Sequence, residues 1–195
     1  MTFGSFGSLT KLNEPVIQAW ARVLQALPDA KLFLKAKQLI DSSVRKALGE
    51  RLAKHGIPAD RLIIEGPSPR SEYLAAYKRV DVMLDTFPYP GGTTTMEALW
   101  MGVPVVALRG DRLLSRQGEN ILKNVGLSRW IASDVDDYVR IATGVAHSLA
   151  DLSGLRAGLR SQLQASPMMD SARFAGHFEA ALRQMWQRWC AKVRS

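Results

Sequence analysis

The sequence predicts an α/β fold, a doubly wound parallel sheet followed by C-terminal helices. Three observations carry that prediction. Short apolar runs of strand length alternate with stretches whose apolar residues recur at helical spacing, the pattern of βαβ units. Glycine and proline punctuate the ends of these runs, where the chain must turn. Beyond residue 134 the strand-like runs cease and only helical spacing remains.

Taken in order, residues 2–7 alternate as a strand ending in glycine, and residues 8–12 form a polar loop. Asn13 caps a helix whose apolar face is Val16, Ala19, Trp20, Val23, Leu24 and Leu27, with Pro28 after its end. Residues 30–34 are the second strand. Asp41 or Ser42 caps a second helix that runs to Lys54 and stops at Gly56. Residues 61–65 are the third strand, followed by a loop over 66–70 and a helix capped by Ser71. The apolar run 80–85 is the fourth strand and 103–108 the fifth. A short helix over 116–125 and a short strand over 130–132 follow, then helices over 134–150, 152–165 and 171–191. Residues 1–195 read as one domain, an α/β core over 1–150 and helices over 151–195. The first strand follows Met1 directly, so a piece of something longer is expected.

The stretch after the fourth strand is the most informative. Gly91 and Gly92 let the backbone turn tightly and let a ligand approach it. Thr93, Thr94 and Thr95 then open a helix whose first N–H groups have no intrahelical partner, and its dipole favours an anion. β-branched residues are not favoured in a helix, so three in succession point to a phosphate site built without a Walker lysine. A plain structural alternative exists, since Thr94 and Glu97 fit a capping box. If the strand order is 3-2-1-4-5-6, strands one and four are neighbours where the order reverses, and the loop carrying Lys11 lies beside that helix start.

Composition narrows the class. A formal net charge of +8 suggests an anionic ligand, but the basic residues are scattered, which disfavours nucleic acid. No apolar run is long enough to span a membrane. The single Cys190 rules out an internal disulfide framework and suits a reducing compartment, hence a cytoplasmic protein. The sequence lacks G-x-G-x-x-G, Walker A, HExxH, CxxC and G-x-S-x-G patterns. His55, His147 and His177 are dispersed, so no metal site is expected. Asp134-Val135-Asp136 matches a D-x-D pattern but opens a helix, where acidic residues suit the dipole. Phe174, Phe178, Ala181, Leu182, Met185, Trp186 and Trp189 recur at helical spacing; they read as a core face or, alternatively, as a face for a missing domain.

With these residues in view, the chain resembles the O-linked N-acetylglucosamine transferase family, and bacterial members most. The resemblance rests on Phe6-Gly7-Ser8-Leu9-Thr10-Lys11, Leu84-Asp85-Thr86-Phe87-Pro88-Tyr89, Gly91-Gly92-Thr93-Thr94-Thr95, residues 99–106 and Ser115-Arg116. It implies the second Rossmann-like domain of a GT-B fold, which binds UDP-N-acetylglucosamine as donor and needs no cofactor or metal. The family transfers the sugar with inversion to protein Ser or Thr. By resemblance, Lys11 is the catalytic residue that holds the diphosphate and stabilises the leaving UDP. Thr93 and Thr94 bind phosphate, Glu97 meets the ribose, and Ser68 and Arg70 border the uracil. Three positions depart from animal members: Gly92 and Tyr73 stand where they carry His, and Ser8 where they carry Gln. The family's N-terminal catalytic half and its helical repeats are missing, so this chain alone is expected to transfer little. A UDP-sugar epimerase of the same fold, or a basic nucleic-acid-binding domain, are the rival readings.

Overall fold

The computed structural model describes residues 1–193. Six strands form one parallel sheet: β1 (Thr2–Ser5), β2 (Lys31–Lys35), β3 (Leu62–Glu65), β4 (Val82–Leu84), β5 (Val105–Leu108) and β6 (Ile131–Ala132). Their order is β3-β2-β1-β4-β5-β6, the doubly wound order expected. Phe3 of β1 pairs with Leu32 on one side and Val82 on the other. The inner strands read as unbroken apolar runs because helices cover both faces: Leu32, Phe33, Leu34, Val82, Leu84 and Val106 are all buried. Gly4 lies in β1 because a Cβ there would meet the Val80 methyls at 2.7 and 2.9 Å.

The helices are α1 (Glu14–Ala26), α2 (Ser42–Lys54), α3 (Arg70–Ala76), α4 (Thr93–Trp100), α5 (Gln117–Asn124), α6 (Val135–Gly144), α7 (Leu149–Gln164) and α8 (Ser171–Val193), of which the first seven pack on the sheet or on one another. Asn13 caps α1 as expected, its Oδ1 accepting from Val16 N–H at 3.0 Å. Its Nδ2 also donates to Phe87 O at 2.7 Å, so one side chain starts a helix and pins the loop after β4. Across the core, Trp20 Nε1 donates to Tyr138 Oη at 3.2 Å, and that hydroxyl donates to Asp85 O at 2.9 Å. Asp41 caps α2. Gly56, Gly102 and Gly126 follow helices with positive φ, as glycines that stop helices do.

Several expected boundaries moved. β1 ends at Ser5, and Phe6 turns inward against Phe33 and Tyr77, with ring centroids 5.0 and 4.6 Å away. α3 begins at Arg70 behind Pro69, with no side-chain cap from Ser71; proline's fixed φ serves the helix entrance without an N–H. The helix expected over 134–150 ends at Gly144, and Ser148 adopts a non-helical backbone before α7. That turn lets α7 bury Leu152, Leu159 and Leu163. α7 then clamps the sheet side, as Arg156 Nη1 and Arg160 Nε each donate at 2.6 Å to Val80 O and Trp100 O.

The D-x-D pair is used structurally: Asp134 caps α6 by accepting from Asp137 N–H, and Asp136 pairs with Arg22 at 2.7 Å. The core-face reading of the last helix is wrong. Phe174, Phe178, Leu182, Met185, Trp186 and Trp189 of α8 are all exposed, Phe174 at 67%. α8 leaves the sheet, and its aromatic residues stack along the helix instead, Trp186 on Trp189 at 5.4 Å. Among the described residues no helix is long and apolar enough to cross a membrane.

Candidate functional site

The site forms where β1 and β4 end side by side. Past Leu84 the backbone leaves the sheet at Asp85, whose carboxylate is buried. Asp85 Oδ1 accepts from Thr86 N–H at 2.9 Å and from Gly91 N–H at 2.7 Å, which closes the loop between them. Thr86 Oγ1 donates across the same loop to Tyr89 O at 2.8 Å. At Gly91 a Cβ would lie 2.6 Å from Thr94 Oγ1 and 2.7 Å from Thr95 Oγ1, so only glycine fits. Gly92 precedes α4 with no side-chain cap, and the first three N–H groups of α4 keep their donor capacity.

Opposite this helix start stands Lys11, the last residue of a short 3-10 turn over Leu9–Lys11. Its Nζ donates to Pro90 O at 2.9 Å and lies 4.1 Å above the Tyr89 ring. Lys11, Asp85, Gly91, Thr94 and Thr95 line one narrow crevice. A cation, a helix N-terminus and two hydroxyls thus converge, as the strand order predicted. Thr93 is different. It begins α4 but is exposed and outside that lining.

A larger cavity of about 470 Å³ opens beside the crevice, at the carboxyl ends of β1, β2 and β3. Phe6, Gly7, Ser8, Lys35, Ser68, Arg70 and Tyr73 are among its lining residues, and Phe6 and Gly7 also line the crevice. Ser8 caps the 3-10 turn and accepts from Gln38 Nε2 at 2.8 Å. Ser68 Oγ is buried with no hydrogen-bond partner. Glu97 sits deeper along α4 and gathers the rest. It pairs with Arg70 Nη1 at 2.5 Å and accepts from Tyr73 Oη at 2.9 Å. The capping-box alternative therefore fails: Thr94 lies inside α4, and Glu97 reaches Arg70 and Tyr73. Burial pushes the Tyr73 phenol up to about 12 and raises Tyr77 further, so both stay protonated and donate. The Glu97 carboxylate in turn raises the Arg70 guanidinium.

Sequence reasoning missed two charged residues here. Asp85 entered only as the end of an apolar run and as part of a family landmark, with no role assigned, and Lys35 was not singled out. Lys35 is buried, with Nζ donating to Gly66 O at 3.0 Å and to Glu65 Oε2 at 3.2 Å. Both close an apolar strand at its carboxyl end, and that position was the available signal.

Fold and crevice together define a doubly wound α/β protein with a candidate anion site at the switch point of its sheet. The family model for glycosyl transferase family 41 matches residues 1–178, and the chain belongs to that family. The SPINDLY protein of Petunia hybrida is 39% identical over 191 residues, 97% of this chain and 20% of its own length. A Caenorhabditis elegans relative, a UDP-N-acetylglucosamine–peptide N-acetylglucosaminyltransferase, is 27% identical over 97% of this chain and 16% of its own. The chain thus spans about a fifth of the length of the curated relatives it matches. A mutant O-GlcNAc transferase from Thermobaculum terrenum superposes with a TM-score of 0.92 at 38% identity. That match covers 98% of this chain and 37% of the Thermobaculum one. Anabaena HepE, solved with UDP and glucose, shares the fold at TM-score 0.62 and 17% identity, over 92% of this chain and 48% of its own. The sheet is the Rossmann-like kind of GT-B glycosyltransferases, as the sequence predicted.

Proposed function

We propose that residues 1–195 form the donor-binding domain of a protein O-GlcNAc transferase-like enzyme, an α/β core over 1–150 carrying the C-terminal helices. The observation that carries this reading is Lys11 facing the α4 N-terminus beside the larger cavity. A UDP-sugar, UDP-N-acetylglucosamine by family membership, lays its diphosphate against Lys11, Thr94, Thr95 and the α4 N–H groups. Gly91 and Gly92 give it room. Thr93 adds a hydroxyl at the rim, and the nucleoside lies in the cavity lined by Ser8, Ser68, Arg70 and Tyr73. Glu97 meets the ribose when Arg70 swings outward; the Arg70 side chain is already 65% exposed.

In the reaction an acceptor Ser or Thr hydroxyl attacks the sugar C1 from the face opposite the diphosphate. The C1–O bond breaks with its electrons passing to UDP, the hydroxyl proton of the acceptor is released to water, the configuration inverts, and Lys11 offsets the charge gathering on the leaving group. No metal is required in this scheme. The acceptor site belongs to the rest of a longer protein, so this chain alone binds donor weakly and transfers little. A single cysteine suits the cytoplasm.

Calorimetric titration with UDP, and with AMP and a short RNA as controls, tests the reading. Saturable UDP binding that is lost in Lys11→Ala is expected. RNA binding without UDP binding refutes it, and so does unchanged UDP affinity in the variant.

A further inference from the structure

We propose that Asp85 is a positioning residue for the donor diphosphate and holds a proton from solvent more tightly once the diphosphate is bound. The proposal rests on the donor-site reading and goes beyond it. Asp85 is buried at the end of β4 in the same crevice as Lys11, Thr94 and Thr95. Its two oxygens have different surroundings. Oδ1 is fully engaged with the N–H groups of Thr86 and Gly91, so it shapes the loop that presents α4. Oδ2 is buried with no hydrogen-bond partner, and a Cβ on Gly118 would stand 3.2 Å from it. A bare ionised oxygen in such a place is costly, whereas a carboxylic acid there is cheaper.

The surroundings favour the acid once a diphosphate arrives. Burial already pushes this carboxyl up to about 6, and the attraction of Lys11 acts against that rise. A diphosphate draws Lys11 to itself and adds negative charge to the crevice, and both effects raise the carboxyl further. From α6, Tyr138 presents its hydroxyl to Asp85 O. From α4 come the Thr94 and Thr95 hydroxyls, and β1 and β5 contribute the uncharged Ser5 and Val105. On α5, Glu119 is turned to Arg109 and Lys123, and Arg116, just ahead of that helix, is turned to Gly110 O. Among these groups Lys11 is the charge that Asp85 feels, and it is the group the ligand captures. The neutral acid keeps Oδ1 free to accept both N–H bonds, so the loop holds its shape while the repulsion disappears.

UDP-N-acetylglucosamine is the probe, because it carries no group that titrates between pH 5 and 8. A rise of one pH unit in the Asp85 midpoint on binding makes affinity about sevenfold higher at pH 5.5 than at pH 8. The full chain is titrated across that range beside Asp85→Asn, which keeps the acceptor oxygen and cannot ionise. The Asp85 carboxyl carbon is followed by NMR with and without ligand. Expected are a pH-dependent affinity in the wild type, a flat profile in the variant, and an upward midpoint on binding. A flat wild-type profile, or the same slope in the variant, overturns the proposal and leaves the donor site standing. If the variant does not fold, a wild-type midpoint unmoved by ligand overturns it equally. Absence of binding at every pH overturns the donor-site reading and this proposal with it.

Discussion

Replacing Asp85 by Asn also measures what the empty-handed protein gives up to keep a carboxylate in the crevice. Desolvation by burial, partly offset by the N–H bonds from Gly91 and Thr86, moves this group from an ordinary 3.8 to about 6. The folded chain therefore holds the proton more tightly than the unfolded chain. Stability is lost as pH rises from 3.8 to 6 and is level above, a total of about 3 kcal/mol. Asn cannot ionise and shows no such loss. Other carboxylates act in the opposite direction: Glu65, Glu119 and Asp137 are held low by their partners and gain stability over part of this range. Those contributions are common to both proteins and cancel in the difference. Urea denaturation of both at half-unit steps from pH 4 to pH 8 reads it directly. Over that range the stability of the variant relative to wild type should climb by about 2.4 kcal/mol, nearly all of it below pH 6.5. A difference that stays constant with pH refutes the assignment of a high carboxyl to Asp85.

Three further outcomes follow from the geometry. Gly91→Ala forces a Cβ into the Thr94 and Thr95 hydroxyls and should cost about 1–3 kcal/mol in denaturation while abolishing UDP binding by calorimetry. Glu97→Ala frees Arg70 and leaves Tyr73 Oη only the Tyr77 hydroxyl as a partner. UDP should then lose its advantage over the 2′-deoxy nucleotide, and an unchanged ratio removes Glu97 from the ribose site. Trp186→Ser with Trp189→Ser, both exposed on α8, should shift stability by no more than about 0.5 kcal/mol, read by thermal melting, while lowering light scattering at high concentration.

The fold was legible because parallel strands buried on both faces must be apolar runs, and each run is bounded by residues that cannot continue it. Asn13, Asp41, Gly56, Gly102 and Gly126 mark real helix ends for that reason. Boundaries failed where a local signal competed with packing. Ser71 looks like a cap, yet Pro69 starts the helix sooner. The spacing through 134–150 looks continuous, yet Ser148 breaks it so that the three leucines of α7 can turn inward. Periodicity finds an apolar face but not what covers it, and of the two readings of α8 the core face failed for that reason.

Much of the candidate site was legible for a different reason, the joint use of topology and backbone chemistry. Gly91, Gly92 and three threonines announce a helix start open to a ligand. The strand order then brings Lys11 to the same point from 80 residues away, and the Lys11–Pro90 contact joins those two loops. Asp85 was invisible to that reasoning because its role depends on which N–H groups its two oxygens find. A charge at the end of an apolar strand reads as the strand's exit into solvent. Here the loop folds back over it, and the carboxylate becomes the internal brace of the loop that carries the glycines. The residues that face a ligand are written in the sequence as composition, whereas the residue that holds them in place is written only in three dimensions.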